Sequence, residues 1–353
     1  MSARIGVLGA GQAGGRQAHG FALHPDATVV GVADLDLARA RALAEPYGAR
    51  AVSDHEALLA LDLDVLVVAT PHALHVEPAL AAAARGVHVM MEKPIATTLA
   101  DAHIIIDACA AADVRLAVSF VHRFREESLR AKDWLAEAGR PHLARETING
   151  QVTPSHPGWL ADRRLAGGGV LMYTAIHGVD RLRWLVGSEV REVVAGTCAF
   201  EDGAEVESGV AALLRFENGC VATLSSSAPR YRAEPSVWET ETFTERAMVR
   251  IRTREFAQTS SDALRDRYDT ADDPVTRDPY YHFARQADAM LQAVEAGRSP
   301  AADGCDGLRA LEVCLAVYRS AERGRPVAIE ERASGGVGAA TDGAGNGAKG
   351  AQP

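Results

Sequence analysis

The stretch RIGVLGAGQAG, residues 4–14, limits the possible folds of this chain more than any other. A β-branched run, Arg4–Leu8, passes directly into Gly9-Ala10-Gly11-Gln12-Ala13-Gly14, a G-x-G-x-x-G spacing that opens a helical pattern. In that setting each glycine has its own task. Gly9 allows the tight turn, Gly11 lets backbone approach a pyrophosphate, and Gly14 lets the helix pack closely on the strand. The free N–H groups at the helix start face the anion. Glycine-rich turns alone are common. Here Asp34 follows Gly14 by twenty residues, at the end of a second β-branched run, Thr28–Ala33. Strand, glycine turn, helix and acid at that spacing read as a dinucleotide site made by Gly9, Gly11, Gln12, Ala13, Gly14 and Asp34.

Asp34 also bears on which dinucleotide binds. A carboxylate there accepts hydrogen bonds from ribose hydroxyls and repels a 2′-phosphate. Leu35 and Asp36 follow, and the first base is Arg39. NAD (NADH) is therefore expected over NADP. The plainer reading is that Asp34 caps a helix.

Further strand candidates are Val65–Ala69, Val87–Met91 and Arg115–Phe120, separated by Ala/Leu-rich helical segments such as EPALAAAARG and LADAHIIIDACAAAD. Alternation of β and α at this spacing implies an α/β fold, a doubly wound parallel sheet with helices on both faces. Ligands of such a sheet bind at the carboxyl ends of its strands. The run VLVVA ends in Thr70, Pro71, His72 and His75, which either line the nicotinamide end of the crevice or, for His75, begin a helix. GVHVMM ends in Glu92-Lys93-Pro94. Burial of that lysine beside a cofactor would lower its pKa from about 10.4 toward a general acid/base range of roughly 7–8. The last candidate ends near His122 and Arg123. The Gly loop, Asp34, His72, Lys93 and His122 thus converge on one sheet edge.

After about residue 123 the pattern changes. VREVVAGTCAF, SGVAALLRFENGCVATLSSS and RAMVRIRT are longer strand-like runs, with a hairpin signal at Asn218-Gly219, and a late helix spans roughly Asp306–Arg323. The expected division is a dinucleotide domain over 1–122, a substrate-binding and oligomerisation α+β domain over 123–330, and a disordered Gly/Ala-rich tail over 331–353.

Within the second domain, GGGVLMYTAIHGVD (residues 167–180) leads three glycines into a helix that carries Tyr173 and His177 four residues apart, on one face. On that helix Leu171, Ala175, Gly178, Leu182 and Leu185 form an apolar stripe, with Tyr173, His177, Asp180 and Trp184 opposite. The plain reading is a solvated face. Two aromatic rings and a histidine suit solvent poorly, and the glycines would admit another backbone or a ligand, so Tyr173 and His177 are read as contacts to a small molecule. His122, Arg123, Trp159 and Arg163 are further substrate-binding candidates, with Arg164, Arg230 and Tyr231 in loops of similar reach. Several arginines would suit a phosphate or carboxylate.

Composition narrows the partners. The formal charge is −10, from 37 basic and 47 acidic residues with no basic run, so no nucleic acid or anionic membrane is expected. No apolar stretch approaches roughly 18 residues. The five cysteines (109, 198, 220, 305, 314) are scattered without a C-x-x-C pair, so no disulfide framework and no metal site are expected. With a strand-like run beginning within a few residues of Met1 and no visible signal peptide, the expected location is cytoplasmic.

The combination of Gly9, Gly11 and Gly14, the A-T-P-x-x-x-H run at Ala69–His75, Glu92-Lys93-Pro94 and the stretch Gly167–Asp180 resembles the glucose–fructose oxidoreductase / inositol dehydrogenase family, written Gfo/Idh/MocA. The segments LLRFENGCVATLSSS and GLRALEVCLAVYRSAERGRPV share its texture, so the resemblance spans about residues 3–330. It implies an N-terminal Rossmann domain and a C-terminal α+β domain with an open, mostly antiparallel sheet that often forms a homo-oligomer (dimer or tetramer). It also implies an NAD(H)-dependent dehydrogenase or ketoreductase that moves hydride to or from a secondary alcohol or ketone carbon of a sugar, inositol or other polyol. Lys93 and His177 match the family's catalytic positions, with Lys93 the general acid/base, and the Lys93–Pro94 bond is expected to be cis. Where the family commonly places an aspartate, this chain has Tyr173, expected to shape substrate choice more than to move a proton. Two alternatives remain at this stage: non-redox use of a tightly held NAD (epimerase or hydrolase), and a non-catalytic NADH-binding regulator.

Overall fold

The computed structural model describes residues 2–150, 157–229, 236–261 and 263–329; the 331–353 tail, Arg230 and Tyr231 lie outside the described residues. The first part of the chain runs β1 (Ala3–Leu8), α1 (Gln12–Ala22), β2 (Ala27–Ala33), α2 (Leu37–Ala44), β3 (Arg50–Val52), α3 (His55–Leu59), β4 (Val65–Val68), α4 (Val76–Ala83), β5 (His88–Met91), α5 (Leu99–Ala111) and β6 (Leu116–Val118). The strands form one parallel sheet in the order β3-β2-β1-β4-β5-β6. It has six strands where five were expected, because β3 is only three residues long and too short to show a period. Every residue of β4 is buried, as in a strand covered on both faces.

The sequence order reverses at β1, whose neighbours are β2 and β4. Hydrogen bonds Gly9 N–H to Ala33 O (2.8 Å) and Ala69 N–H to Leu8 O (2.8 Å) carry this pairing into the loops. The glycine turn, Asp34 and Thr70 therefore share the crevice at the switch point.

The second part contains α6 (Glu126–Ala138), β7 (Pro141–Asn149), the short α7 (Arg163–Ala166), α8 (Ile176–Val186), β8 (Val190–Cys198), β9 (Gly209–Phe216), β10 (Val221–Ser227), β11 (Val237–Thr244), β12 (Met248–Arg252), β13 (Phe256–Ser260), β14 (Asp266–Asp269), α9 (Tyr281–Glu295), α10 (Gly304–Arg323) and β15 (Val327–Ala328). Nine of these strands pair in the order β14-β13-β12-β11-β7-β10-β9-β8-β15. Only β7 and β10 are parallel; the other pairs are antiparallel. The β9–β10 hairpin closes at Asn218-Gly219, as expected.

Helix α8 lies on this sheet with almost every side chain buried, so the plain reading of a solvated face opposite the apolar stripe does not hold. Gly178 is the contact point: a Cβ there would stand 2.8 Å from Glu146 Cγ. Helix α9 then returns to the first part of the chain, with Ala287 and Met290 packed in the core of Ile5, Val7 and Phe21. Helix α10 begins beside β6, where Val118 N–H donates to Ala302 O at 2.9 Å. The last 50 or so described residues therefore brace the parallel sheet as well as the open one.

Candidate active site

The glycine turn has the shape a pyrophosphate needs. Gly9 takes φ +100°, a left-handed value that favours glycine, and a Cβ on Gly14 would stand 1.9 Å from Gly9 O. Nothing lies within 4 Å of a Cβ built on Gly11, and α1 starts at Gln12 with no side chain capping its amides. Gln12 is exposed and Ala13 half-buried at this open helix end. An anion cradle of free N–H groups is the result.

Asp34 does not cap α2; Asp36 does, accepting from Ala38 and Arg39 N–H. The Asp34 carboxylate instead accepts Ala10 N–H (2.8 Å), tying the second strand end to the glycine turn, and Asp36 N–H (2.8 Å). Arg39 Nη2 reaches it at 3.0 Å.

The A-T-P-x-x-x-H run is largely packing. His75 is fully buried, with Nδ1 3.2 Å from Ile95 O and Nε2 3.1 Å from Thr70 O, so either tautomer finds an acceptor. His75 thus fixes the loop holding Thr70 and Pro71. His72 Nδ1 lies 2.8 Å from Ala166 O, and its ring meets Trp159 edge-on at 4.8 Å. Burial holds both imidazoles below their usual pKa.

Lys93 stands two residues past the end of β5 and is joined to the following Pro94 by a cis bond, as expected. It is buried, and its Nζ donates to the backbone carbonyl of Tyr173 at 2.5 Å. Burial lowers its pKa to about 8; Glu92 opposes this shift and Arg16 adds to it. Glu92 accepts a hydrogen bond from Gln17 Nε2 (2.8 Å), which also meets Ser119 Oγ at 2.6 Å. A buried amine near neutrality can exchange a proton in either direction.

Tyr173 lies in a π-helical turn, Leu171–Ala175, that precedes α8. Such a turn changes the helical phase and often marks a functional position. Burial raises the Tyr173 pKa, so the ring is a neutral phenol and not the phenolate an anionic partner of Lys93 would require. The three glycines admit neighbouring protein: a Cβ on Gly169 would stand 1.8 Å from Glu207 O, and one on Gly168 would stand 1.9 Å from the Tyr318 hydroxyl. Glu207 accepts N–H groups of Gly169 and Leu171, both at 2.9 Å, and the Tyr318 hydroxyl at 2.9 Å. Its carboxylate satisfies the open amides that start the π turn.

His177 follows on α8, packed 4.9 Å from His122 and 5.9 Å from Trp238 between ring centroids. His122 and Trp238 stack at 4.0 Å. Burial, then nearby positive charge, keeps both histidines neutral, and each has a buried Nδ1 without a hydrogen-bond partner. Trp238 is fixed by its indole N–H to Glu146 (3.0 Å), and Glu146 also pairs with Arg181, one turn beyond His177.

Other candidates stand elsewhere. The Arg123 guanidinium is spent on Asp180 (2.5 Å) and Asp306 (2.8 Å), a buried clamp joining α8 to the start of α10. Asp180 thus belongs to this clamp and not to a face shared with His177. Arg163 and Arg164 are exposed, the first against Tyr318 and the second paired with Asp162. Trp238, Glu146, Glu207, Gln17, Arg125 and His282 were not singled out in the sequence. Their partners lie tens to hundreds of residues away, and no local spacing marks them. Among the described residues no group of His, Cys, Asp and Glu could hold a metal, and no helix is long and apolar enough to cross a membrane.

Residues 3–120 match the oxidoreductase family with NAD-binding Rossmann fold, and residues 128–250 match the GFO/IDH/MocA C-terminal domain. The chain is 32% identical to 1,5-anhydro-D-fructose reductase of Ensifer adhaerens, over 76% of this chain and 80% of that one. It is 28% identical to myo-inositol 2-dehydrogenase of Thermotoga maritima, over 93% and 99% of the two chains. GenD2 from gentamicin A biosynthesis, solved with NAD, superposes with a TM-score of 0.83 at 25% identity, covering 94% of this chain and 97% of that one. Relatives of both cofactor habits occur, since a D-xylose 1-dehydrogenase (NADP(+)) from Haloferax volcanii is 29% identical over 85% of this chain and 91% of that one. On these matches and the fold they share, the chain belongs to the GFO/IDH/MocA family of oxidoreductases.

Proposed function

We propose that this protein is an NAD(H)-dependent oxidoreductase that interconverts a secondary alcohol and a ketone on a sugar, inositol or related polyol, with Lys93 as general acid/base. The observation that carries the reading is the buried Lys93 amine, with a pKa of about 8, on the Tyr173 carbonyl beside His177. The names of the relatives, a sugar reductase and an inositol dehydrogenase among them, support the substrate class.

The dinucleotide would be held by the Gly9–Gly14 cradle and by Asp34, with Thr70 and Pro71 bordering the same crevice. When bound it supplies hydride exchange at nicotinamide C4. In the oxidative direction neutral Lys93 removes the hydroxyl proton, and its ammonium then lies beside the forming carbonyl oxygen. In reduction the ammonium gives the proton back and stabilises developing alkoxide charge. His177, a neutral imidazole with a spare ring nitrogen, hydrogen-bonds the same or an adjacent hydroxyl. The His122–Trp238 stack offers a flat wall for a sugar ring, and Tyr173 limits its shape. Asp34 favours NAD over NADP by repelling a 2′-phosphate.

The test is a screen of polyols and keto sugars with NAD⁺ or NADH, repeated with the phosphorylated cofactor. Hydride exchange with at least one member, faster with NAD(H), is expected. Tight NADH binding without exchange on any member would contradict the reading.

A further inference from the structure

Among the described residues the Lys93 amine has one hydrogen-bond partner, the Tyr173 carbonyl at 2.5 Å. Whatever fixes that carbonyl therefore fixes the amine. Tyr173 N–H donates to Gly169 O at 3.0 Å, so the carbonyl stands one helical turn beyond Gly169. The start of this turn is held in its place by Glu207. The Glu207 carboxylate accepts Gly169 N–H through Oε2 and Leu171 N–H through Oε1, both at 2.9 Å. Its backbone carbonyl accepts Val170 N–H at 3.0 Å. Three successive amides at the start of the π turn thus end on one residue. Amides at a helix start have no partner within the helix, and a carboxylate gives them charge-assisted bonds, roughly twice as strong as neutral ones.

Glu207 is itself fixed from two sides. The Tyr318 hydroxyl, on α10, donates to Oε1 at 2.9 Å. The next residue, Ser208, is tied to the open sheet: its N–H donates to Cys198 O at 3.0 Å, and its carbonyl accepts Ala228 N–H at 2.8 Å. Gly168 and Gly169 leave room for this pair, since Cβ atoms there would stand 1.9 Å from the Tyr318 hydroxyl and 1.8 Å from Glu207 O. An unbroken path of hydrogen bonds therefore runs from β8 and α10 through Glu207, Gly169 and Tyr173 to Lys93.

We infer that Glu207 is a positioning residue for Lys93: with the Tyr318 hydroxyl it holds the π turn so that the Tyr173 carbonyl stays against the amine. The inference rests on the general acid/base reading of Lys93 and names the residue that acts through it. A carbonyl oxygen stabilises an ammonium more than a neutral amine, so it opposes the lowering by burial. Loosening the turn therefore lowers the Lys93 pKa further from about 8 and frees the amine to turn away. Glu92, Arg16, His72 and His177 also act on the amine electrostatically, and the Tyr173 ring lies 4.8 Å from it. Changing Glu207 or Tyr318 leaves all of these groups in the chain.

Lys93, Lys132 and Lys349 are the three lysines of the chain, so labelling lysine with carbon-13 gives three signals, and Lys93→Met assigns the relevant one. Its titration is followed by NMR in the full-length wild-type protein, Glu207→Gln, Tyr318→Phe and Glu205→Gln, with kcat, KM, NADH affinity and Tm measured alongside. In Glu207→Gln one carboxylate oxygen becomes an NH2 group, which cannot accept from a backbone N–H. The Lys93 midpoint should fall by about half a unit or more. The loss in kcat should be about tenfold, with KM and NADH affinity within about threefold of wild type. Tyr318→Phe keeps both amide bonds and should move the midpoint the same way by less. Glu205 is exposed in the same loop and reaches Arg163 N–H only at 3.4 Å, so Glu205→Gln should leave midpoint and kcat unchanged. An unmoved midpoint in Glu207→Gln overturns the inference, and a lower Tm beside it would mark Glu207 as structural support alone. So would an upward shift, an equal shift in Glu205→Gln, or an unchanged kcat in Glu207→Gln when Lys93→Met has lost turnover. If Lys93→Met keeps wild-type turnover while Glu207→Gln still lowers the midpoint, the positioning stands and the general acid/base reading fails. If Glu207→Gln does not fold, Tyr318→Phe decides, and an unmoved Lys93 midpoint there overturns the inference.

Discussion

The Lys93 amine donates to the Tyr173 backbone carbonyl at 2.5 Å and lies 4.8 Å from the centroid of the same residue's ring. The general acid/base proposed here is thus oriented by the main chain of the π turn, which any side chain at position 173 would supply. Tyr173→Phe keeps that carbonyl and the ring face, so the variant is expected to retain turnover within about tenfold of wild type, with the larger change in KM. A kcat loss matching that of a Lys93 variant would assign the proton role to the hydroxyl.

The pH profile has a definite sign. Burial lowers the Lys93 pKa to about 8, so the neutral amine predominates above that pH and the ammonium below it. Alcohol oxidation needs the neutral amine, and its kcat/KM is expected to rise with pH and level off above about 8. Ketone reduction needs the ammonium, and its kcat/KM is expected to fall over the same interval. Profiles flat between roughly pH 7 and 9 in both directions would remove Lys93 from the proton step.

The proposed preference for NAD(H) rests on Asp34 and Arg39. Arg39 is paired with Asp34 at 3.0 Å and so is not free for a 2′-phosphate. Asp34→Ala removes the repelling charge and leaves Arg39 with Asp36 as its one remaining acidic partner among the described residues, at 3.4 Å. The ratio of NADPH to NADH affinity should rise tenfold or more, about 1.4 kcal/mol. An unchanged ratio in fluorescence titration would place selectivity elsewhere.

Gly169 has no room for a methyl group. Its Cβ would stand 1.8 Å from the Glu207 carbonyl, which cannot withdraw without disturbing the carboxylate that holds the π turn. Gly169→Ala is expected to cost roughly 1–3 kcal/mol and to lower Tm measurably. An unchanged Tm would show the turn to be softer than its contacts suggest.

Glu146 and Arg181 are buried together, and Glu146 also receives the Trp238 indole and the Thr240 hydroxyl. Glu146→Ala leaves a buried guanidinium uncompensated and should destabilise by about 3–5 kcal/mol in a denaturant titration. A loss below about 1 kcal/mol would mean that water reaches this pair.

Much of the parallel sheet could be read from the chain because its signals are local. β1 and its glycine turn are contiguous, and β4 is an uninterrupted apolar run. β3 was missed because three half-exposed residues carry no period. Lys93 and His177 could be recognised from short motifs around them. Arg123 showed the limit of such reading: its position at a strand end suggested ligand contact, while Asp180 and Asp306, 57 and 183 residues away, claim its guanidinium. The glycines at 167–169 declared a close approach, but only the fold shows that Glu207 and Tyr318 make it. Arg125 and His282, 157 residues apart, meet only after α9 has returned across the molecule.

The central claim is that Lys93 exchanges the proton in NAD(H)-dependent turnover. The most direct measurement pairs NADH affinity with turnover in Lys93→Met, on a substrate found in the screen. NADH affinity within about threefold of wild type, with kcat lower by 10²–10⁴-fold, is the expected result. Turnover near wild type in that variant would contradict the account.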